Sequence, residues 1–302
     1  MQFKAPLMMS TTTTCTTTAN LGQPASINVI PNDKLYISEP PPSWFGNGAN
    51  PKDDPSWTNE NWLKSRFHFS FAEYRNWDNS DFGVLRVMND DLVQPHRGFG
   101  THPHGNMEIV TYVVDGELSH EDTMGTNESL GRGSVQFMTA GTGIQHSEFN
   151  HGDKPLRFIQ TWIKPSQSGL IPNYGSYCGD KGKEDRFNKI QHLVSGTQST
   201  EKGPVQVEQT VDGYACEMEL GKTVVHNLPA KSQAYLLCIE GSITVNGKKL
   251  NRHDACEIVG DPSRPSELEI KATGTEETEN GHLAHFLMFT MPLAPGSGRR
   301  DL

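Results

Sequence analysis

The chain has 302 residues, enough for two ordinary domains with their own cores, so no disulfide or metal is needed merely to staple a small fold. A formal charge of −10 with no run of Lys and Arg argues against a nucleic-acid surface. No apolar run approaches the roughly 20 residues that span a bilayer, and Cys15, Cys178, Cys216, Cys238 and Cys256, with no CxxC, fit free thiols in a reducing compartment rather than a disulfide framework or zinc ribbon.

Met1 to Asn32 has no acidic residue and carries a hydroxyl-rich run from Ser10 to Thr18. A disordered polar tail and an organelle-targeting segment both fit that composition, although arginine is missing. An intracellular location, cytoplasmic or nuclear, is the other expectation. The Pro-rich stretch Glu39 to Ser43 and the loop Gly46 to Pro55 read as a linker, which places residues 1–56 outside the packed core. Ordered structure is expected to begin near Trp57 to Phe67.

From there the sequence predicts many short strands. Gly83–Met88, Glu108–Val114, Glu117–Glu121, Ser134–Met138 and Leu156–Ile163 are apolar, β-branched or alternating, and Asp115-Gly116 and Gly131-Arg-Gly133 mark turns. The stretch Pro165–Arg186 is rich in Gly, Ser and Pro and marks a boundary; one short helical turn is expected in Asp185–Leu193. Further strands are predicted at Val205–Val211, Gly213–Leu220, Gln233–Glu240, Ser242–Val245 and His285–Met291, with hairpin signals at Glu240-Gly241 and Asn246-Gly247. Val114-Asp-Gly-Glu-Leu118 and Ile239-Glu-Gly-Ser-Ile243 follow one pattern of strand, acid-Gly turn and strand. The whole reads as an all-β chain with a duplicated barrel.

Two constellations carry chemistry. His102-Pro-His104 has the spacing that puts both imidazoles on one face of a strand, and Glu108 has the same parity if no bulge intervenes. His146-Ser-Glu148 has that spacing again. Neutral imidazole is the commonest metal ligand, although an HxH alone is more often a pair of satisfied polar groups. Gly98-Phe-Gly100 and Ala140-Gly-Thr-Gly143 precede the two pairs and allow tight turns there. His226, His253, His282 and His285 are scattered; His282 and His285, three apart, would face opposite ways on a strand.

The stretches Gly98–His104, Glu108–Tyr112, Asp115-Gly116, His120-Glu-Asp122 and Thr139–Glu148 resemble the pirin family of bicupins, and most closely its bacterial quercetin 2,3-dioxygenase-like branch. Trp62–Phe71 and Val84–Asp91 fit the same pattern, so the resemblance runs from about Trp57 to Pro292, strongly in the first half and loosely in the second. It implies two cupin barrels (double-stranded β-helix, or jelly-roll) in tandem: a metal-binding one at 57–175, a metal-free one at 176–293, and a tail at 294–302. It implies one divalent transition metal, usually iron, with copper, nickel, manganese or zinc as alternatives, held by His102, His104, His146 and Glu148. In other cupins the metal-binding carboxylate sits where Glu108 stands, which keeps Glu108 as a rival ligand or a group that orients an imidazole. Many pirins carry Arg after the second His; this chain has Gly105.

The implied activity is dioxygenase cleavage of a flavonol such as quercetin, or a related phenolic, by O2, with Glu148 as the base. The alternative is a non-enzymatic metal or redox sensor that binds a transcription factor or other protein, through a surface near Gly105 and the Gly141–Gly143 loop. Neither reading involves direct nucleic-acid or membrane contact, and a monomer is expected.

Overall fold

The computed structural model describes residues 22–48 and 62–293. The hydroxyl-rich run, Cys15, Trp57 and the expected C-terminal tail lie outside the described residues. In the first half the strands are β1 Ser26–Ile30, β2 Tyr36–Ser38, β3 Leu63–Phe67, β4 Leu85–Val93, β5 Arg97–His104, β6 Glu108–Asp115, β7 Leu118–Asp122, β8 Asn127–Leu130, β9 Val135–Thr139, β10 Ile144–Asn150, β11 Leu156–Ile163 and β12 Asn173–Tyr177. One helical turn, α1 Lys183–Arg186, follows. The second half contains β13 Gln191–Ser195, β14 Val205–Gln206, β15 Asp212–Met218, β16 Thr223–Leu228, β17 Ser232–Glu240, β18 Ser242–Val245, β19 Lys248–Asn251, β20 Ala255–Val259, β21 Ser266–Gly274, β22 Glu276–Thr278 and β23 Gly281–Pro292. No described helix is long and apolar enough to cross a membrane.

The strands form two barrels of one design, each a large sheet facing a four-stranded one. The first barrel pairs β12-β9-β6-β11-β4-β3-β2 with β5-β10-β7-β8; the second pairs β1-β20-β17-β23-β15-β13-β14 with β16-β21-β18-β19. The acid-Gly turns foreseen in both halves sit at equivalent places, but they are not hairpins. Each passes the chain from the large sheet to the small one, β6 to β7 and β17 to β18. Gly116 and Gly241 both have φ near +70° (76° and 69°), and a β carbon would meet Pro155 O at 2.7 Å and Gly274 O at 2.4 Å. Asn246-Gly247 does close a hairpin, between β18 and β19.

Three sequence expectations need correction. Residues 22–48 do not all lie outside the core: β1 pairs with β20 of the second barrel and β2 with β3 of the first, so this segment ties the two together. Its prolines mislead because they flank the strands; Pro42 opens a 3-10 turn, where a missing N–H costs nothing. Likewise, the boundary placed after residue 175 falls inside β12, which still belongs to the first barrel. The strand foreseen at Val205–Val211 shortens to Val205–Gln206.

The two large sheets pack back to back. Their shared core runs from Met88, Tyr112 and Ile159 of the first barrel to Tyr235, Leu237 and Phe289 of the second. The interior of the second barrel is filled by a separate apolar cluster that includes Cys216, Cys238 and Cys256, all free thiols that burial pushes above their usual range. Buried ion pairs also cross the interface. Arg132 donates to Glu217 (2.9 Å) and Glu240 (2.9 Å), and Tyr112 meets His285 at 2.9 Å. Arg157 binds Asp90 through two hydrogen bonds of 2.8 Å, and His253 closes on the same carboxylate at 2.6 Å. Burial alone would raise the Glu240 carboxyl; hydrogen bonds from Arg132 and His285 outweigh it and hold it well below the usual range. Replacing Arg132 with Met should therefore destabilise the protein by about 3–5 kcal/mol, because two buried carboxylates lose the guanidinium they share. Urea unfolding of the variant at neutral pH checks this, and a loss under about 1 kcal/mol would refute the role given to the pair.

Candidate metal centre

β5 and β10 are neighbours in the small sheet of the first barrel, and their register sets His102 opposite His146 and His104 opposite Ile144. The alternation of a strand then turns His102 and His104 to the barrel interior from one side, and His146 and Glu148 from the other. Between His146 and Glu148 the register shifts, so that Glu148 pairs with Phe99 rather than Gly100. This bulge carries an extra residue on β5. The carbonyl of Gly100 accepts a hydrogen bond from His102 Nδ1 at 2.8 Å, which leaves the lone pair of a neutral His102 on Nε2, facing the site. Gly98 lets the strands approach: a β carbon there would lie 2.4 Å from Glu148 O.

The donor atoms converge as two overlapping groups, His102–His104–His146 and His120–His146–Glu148, each with all ligand atoms within 4.8 Å of one another. His102 Nε2 and His146 Nε2 are 3.1 Å apart. Two nitrogens that bind one ion at about 2.1 Å in a right-angled arrangement are about 3.0 Å apart. Burial, and after it the neighbouring imidazoles, lowers His104 and His146 to about 3, so both are neutral near pH 7 and able to coordinate. His146 Nδ1 is buried with no hydrogen-bond partner. Three neutral imidazoles and a carboxylate suit an open transition-metal site.

Glu148 is buried and held from several directions. Thr111 Oγ1 (3.3 Å) and Gln136 Nε2 (3.1 Å) donate to one carboxylate oxygen, and Gln160 Nε2 (2.6 Å) to the other. Gln160 is fixed in turn by Trp162 Nε1 at 3.0 Å, and the edge of His104 meets the Trp162 ring at 4.8 Å between centroids. These amides were not singled out in the sequence, nor was the role of His120. His120 stacks on Tyr174 at 4.4 Å and contacts Asp122 Oδ2 at 3.1 Å. The available signal was the spacing of two between His120 and Asp122, on a strand that pairs with β10.

Glu108 is not part of either group. It faces the second barrel, accepting from Thr139 Oγ1 (2.9 Å) and the Glu208 N–H (3.4 Å). The parity argument fails because residues 105–107 leave the strand between β5 and β6, and the count restarts on the opposite face. Thr111, not Glu108, has the inward parity of β6 and reaches Glu148.

Above His102 and His104 lies a cavity of about 180 Å³, walled by Phe45, Phe67, Phe71, Phe99 and Trp162. Besides the histidines, its polar lining comes from Ser38, Ser65, Glu73, Asn89, Asp91 and Gln160. Burial, and after it the charges of Asp90 and Glu148, pushes the Asp91 carboxyl up to about 8 against the opposing effect of Ser65. A larger cleft of about 660 Å³, lined by Phe137, Thr139 and Glu208 among others, contains none of the metal-ligand candidates.

The chain matches known proteins along most of its length. The Pirin family profile matches residues 51–163, and the profile of the quercetinase C-terminal cupin domain matches residues 193–280. A pirin-like protein of Caulobacter vibrioides is 37% identical over 76% of this chain and 95% of its own. The quercetin 2,3-dioxygenase of Escherichia coli K12 is 36% identical over 66% of this chain and 84% of its own. The crystal structure of the E. coli bacterial pirin YhhW in complex with nickel(II) superposes with a TM-score of 0.71 at 28% identity, covering 89% of this chain and 100% of that one.

Asp91 gives a pH test of the geometry. An ordinary aspartate loses its proton near 3.8, whereas the folded chain holds this one to about 8. Between those values the folded state binds a proton that the unfolded state has lost, so stability falls as pH rises and then levels. Asp91→Asn should remove this slope, gaining on the order of 2–4 kcal/mol over wild type between pH 5 and pH 8. Thermal unfolding of both proteins at the two pH values, at equal metal content, measures it. Equal slopes would mean that Asp91 is ionised in the fold.

Proposed function

The chain belongs to the pirin family, and on that footing we propose that it is a metal-dependent dioxygenase that cleaves a phenolic or enolic ring compound with O2, quercetin being the flavonol example. The observation that carries this reading is that His102 and His104 are at once members of the ligand group and walls of an aromatic-lined cavity. A ring compound in that cavity would sit on the side of the ion that the protein leaves uncovered. A bound divalent transition metal, with iron first among Fe, Cu, Ni, Mn and Zn, would lower the pKa of a substrate hydroxyl and bring that oxygen close to O2.

His102, His104, His146 and Glu148 are the residues we assign to hold it. Glu148 also takes the proton of the substrate hydroxyl. Thr111, Gln136 and Gln160 keep its carboxylate in one place, so the proton is accepted at a fixed point rather than by a swinging side chain. Phe45, Phe99 and Trp162 keep bulk water away from the resulting anion.

Oxygen consumption tests this directly. Protein loaded anaerobically with Fe(II), Cu(II), Ni(II), Mn(II) or Zn(II) is mixed with quercetin or with single-ring catechols. Uptake should depend on one or two of the metals and disappear in His102→Ala, which should also bind less metal. Glu148→Gln, with metal retained, should lose roughly 100-fold or more in kcat. An unchanged Glu148→Gln rate would remove the base. Stoichiometric metal with no uptake from any compound would instead favour the sensor that binds a protein partner.

A further inference from the structure

The segment 22–48 does more than join the barrels. After β2 it crosses the mouth of the first barrel, and its 3-10 turn Pro42–Phe45 forms one wall of the cavity over His102 and His104. This strap is anchored on the histidine-bearing strand itself. Asn47 Nδ2 donates to Gly98 O at 2.9 Å, and Gly98 N–H donates to Asn47 Oδ1 at 3.2 Å. Gly100 leaves room for it: a β carbon there would lie 2.9 Å from Phe45 O. Phe45 packs edge-on against Phe99 (5.2 Å) and His102 (6.0 Å), while Trp44, 59% exposed, stands at the rim. The strap precedes residue 51, where the match to the Pirin profile begins.

With the strap in place the cavity holds about 180 Å³. Pockets for drug-sized ligands begin near 300 Å³, and a three-ring flavonol is of that size. The aromatic walls favour a flat ring. Across from the histidines, on the facing sheet, Asn89 is only 4% exposed and its Oδ1 has no hydrogen-bond partner. An acceptor left buried in this way costs about 1–3 kcal/mol until something donates to it.

The geometry points to a single planar ring as the preferred ligand of this site, with hydroxyl or enol oxygens on the edge facing His102 and His104, a hydroxyl on the opposite edge that donates to Asn89, and the Trp44–Phe45 strap weakening the binding of larger flavonols such as quercetin. This deepens the dioxygenase reading and rests on it. The strap is a size filter and Asn89 a specificity residue; neither is asked to take part in the chemistry.

Anaerobic calorimetric titration of full-length Ni(II)-loaded protein with 1,2,4-trihydroxybenzene, catechol and quercetin tests it without turnover. Trihydroxybenzene should bind wild type about tenfold more tightly than catechol or quercetin. Phe45→Ala should raise the affinity for quercetin about tenfold, and so should Trp44→Ala, whose exposed side chain makes misfolding a poor explanation of any result. Asn89→Leu should bring trihydroxybenzene down to the affinity of catechol. Quercetin binding wild type as tightly as trihydroxybenzene, or as tightly as it binds both strap variants, would overturn the size filter while leaving the dioxygenase reading in place. If none of the three compounds binds protein that retains its Ni(II), the dioxygenase reading falls, and the ligand assignment with it.

Discussion

The site depends on one contact, the antiparallel ladder between β5 and β10. It brings His102 opposite His146, and the period of two then settles the direction of His104 and Glu148. A slip of either strand by one residue would turn its own two side chains to the outside of the barrel and break the group. The bulge in the same ladder releases the Gly100 carbonyl to orient His102. One local pairing therefore sets position, direction and tautomer together.

The cost of the arrangement is visible in the rest of the barrel. The second barrel has one continuous apolar interior, whereas the first has two smaller clusters, one around Trp62, Leu118 and Phe158 and one around Ile109, Met138 and Ile144. Between them lie the histidines, Glu148 and the amides. Imidazoles that stay neutral avoid the heavy penalty of burying a charge, and Glu148 keeps donors in place of the water it has lost. Support comes from the other side of the large sheet, where the barrels pack back to back over a broad apolar core. Two buried charge clusters link the barrels there: Arg132 with Glu217 and Glu240, and Asp90 shared between Arg157 and His253.

How much of this was legible in the sequence follows from the range of each signal. HxH and HxE are local, and alternation along a strand puts each pair on one face without knowledge of the fold. Glu108 failed because parity survives only while the strand is unbroken. His120 and the glutamines around Glu148 are brought in by pairing between strands remote in sequence, and no short motif encodes that. Asp115-Gly116 is legible as the turn it is, whereas Glu240-Gly241 reads as a hairpin and is a passage between facing sheets, because both ask the same left-handed glycine of the chain. The Pro-rich segment was the largest misreading: composition reports that prolines cannot sit inside a ladder, and says nothing of short strands between them.

That segment is also where fold and site meet. β1 is fastened to the second barrel over five paired residues and β2 to the first over three. Asn32, between them, receives a hydrogen bond from Arg66 of the first barrel at 3.1 Å and gives one to Asp254 of the second at 2.8 Å. A lid that opened for substrate would need a free hinge, and this strap has a ladder behind it and the Asn47–Gly98 clamp ahead of it. Moving Phe45 away from His102 by a shift of the whole strap means breaking one of these. The wall it forms is for that reason better described as a fixed part of the pocket than as a gate. Its side chains can change what fits, while the backbone that carries them is committed to holding the two barrels together.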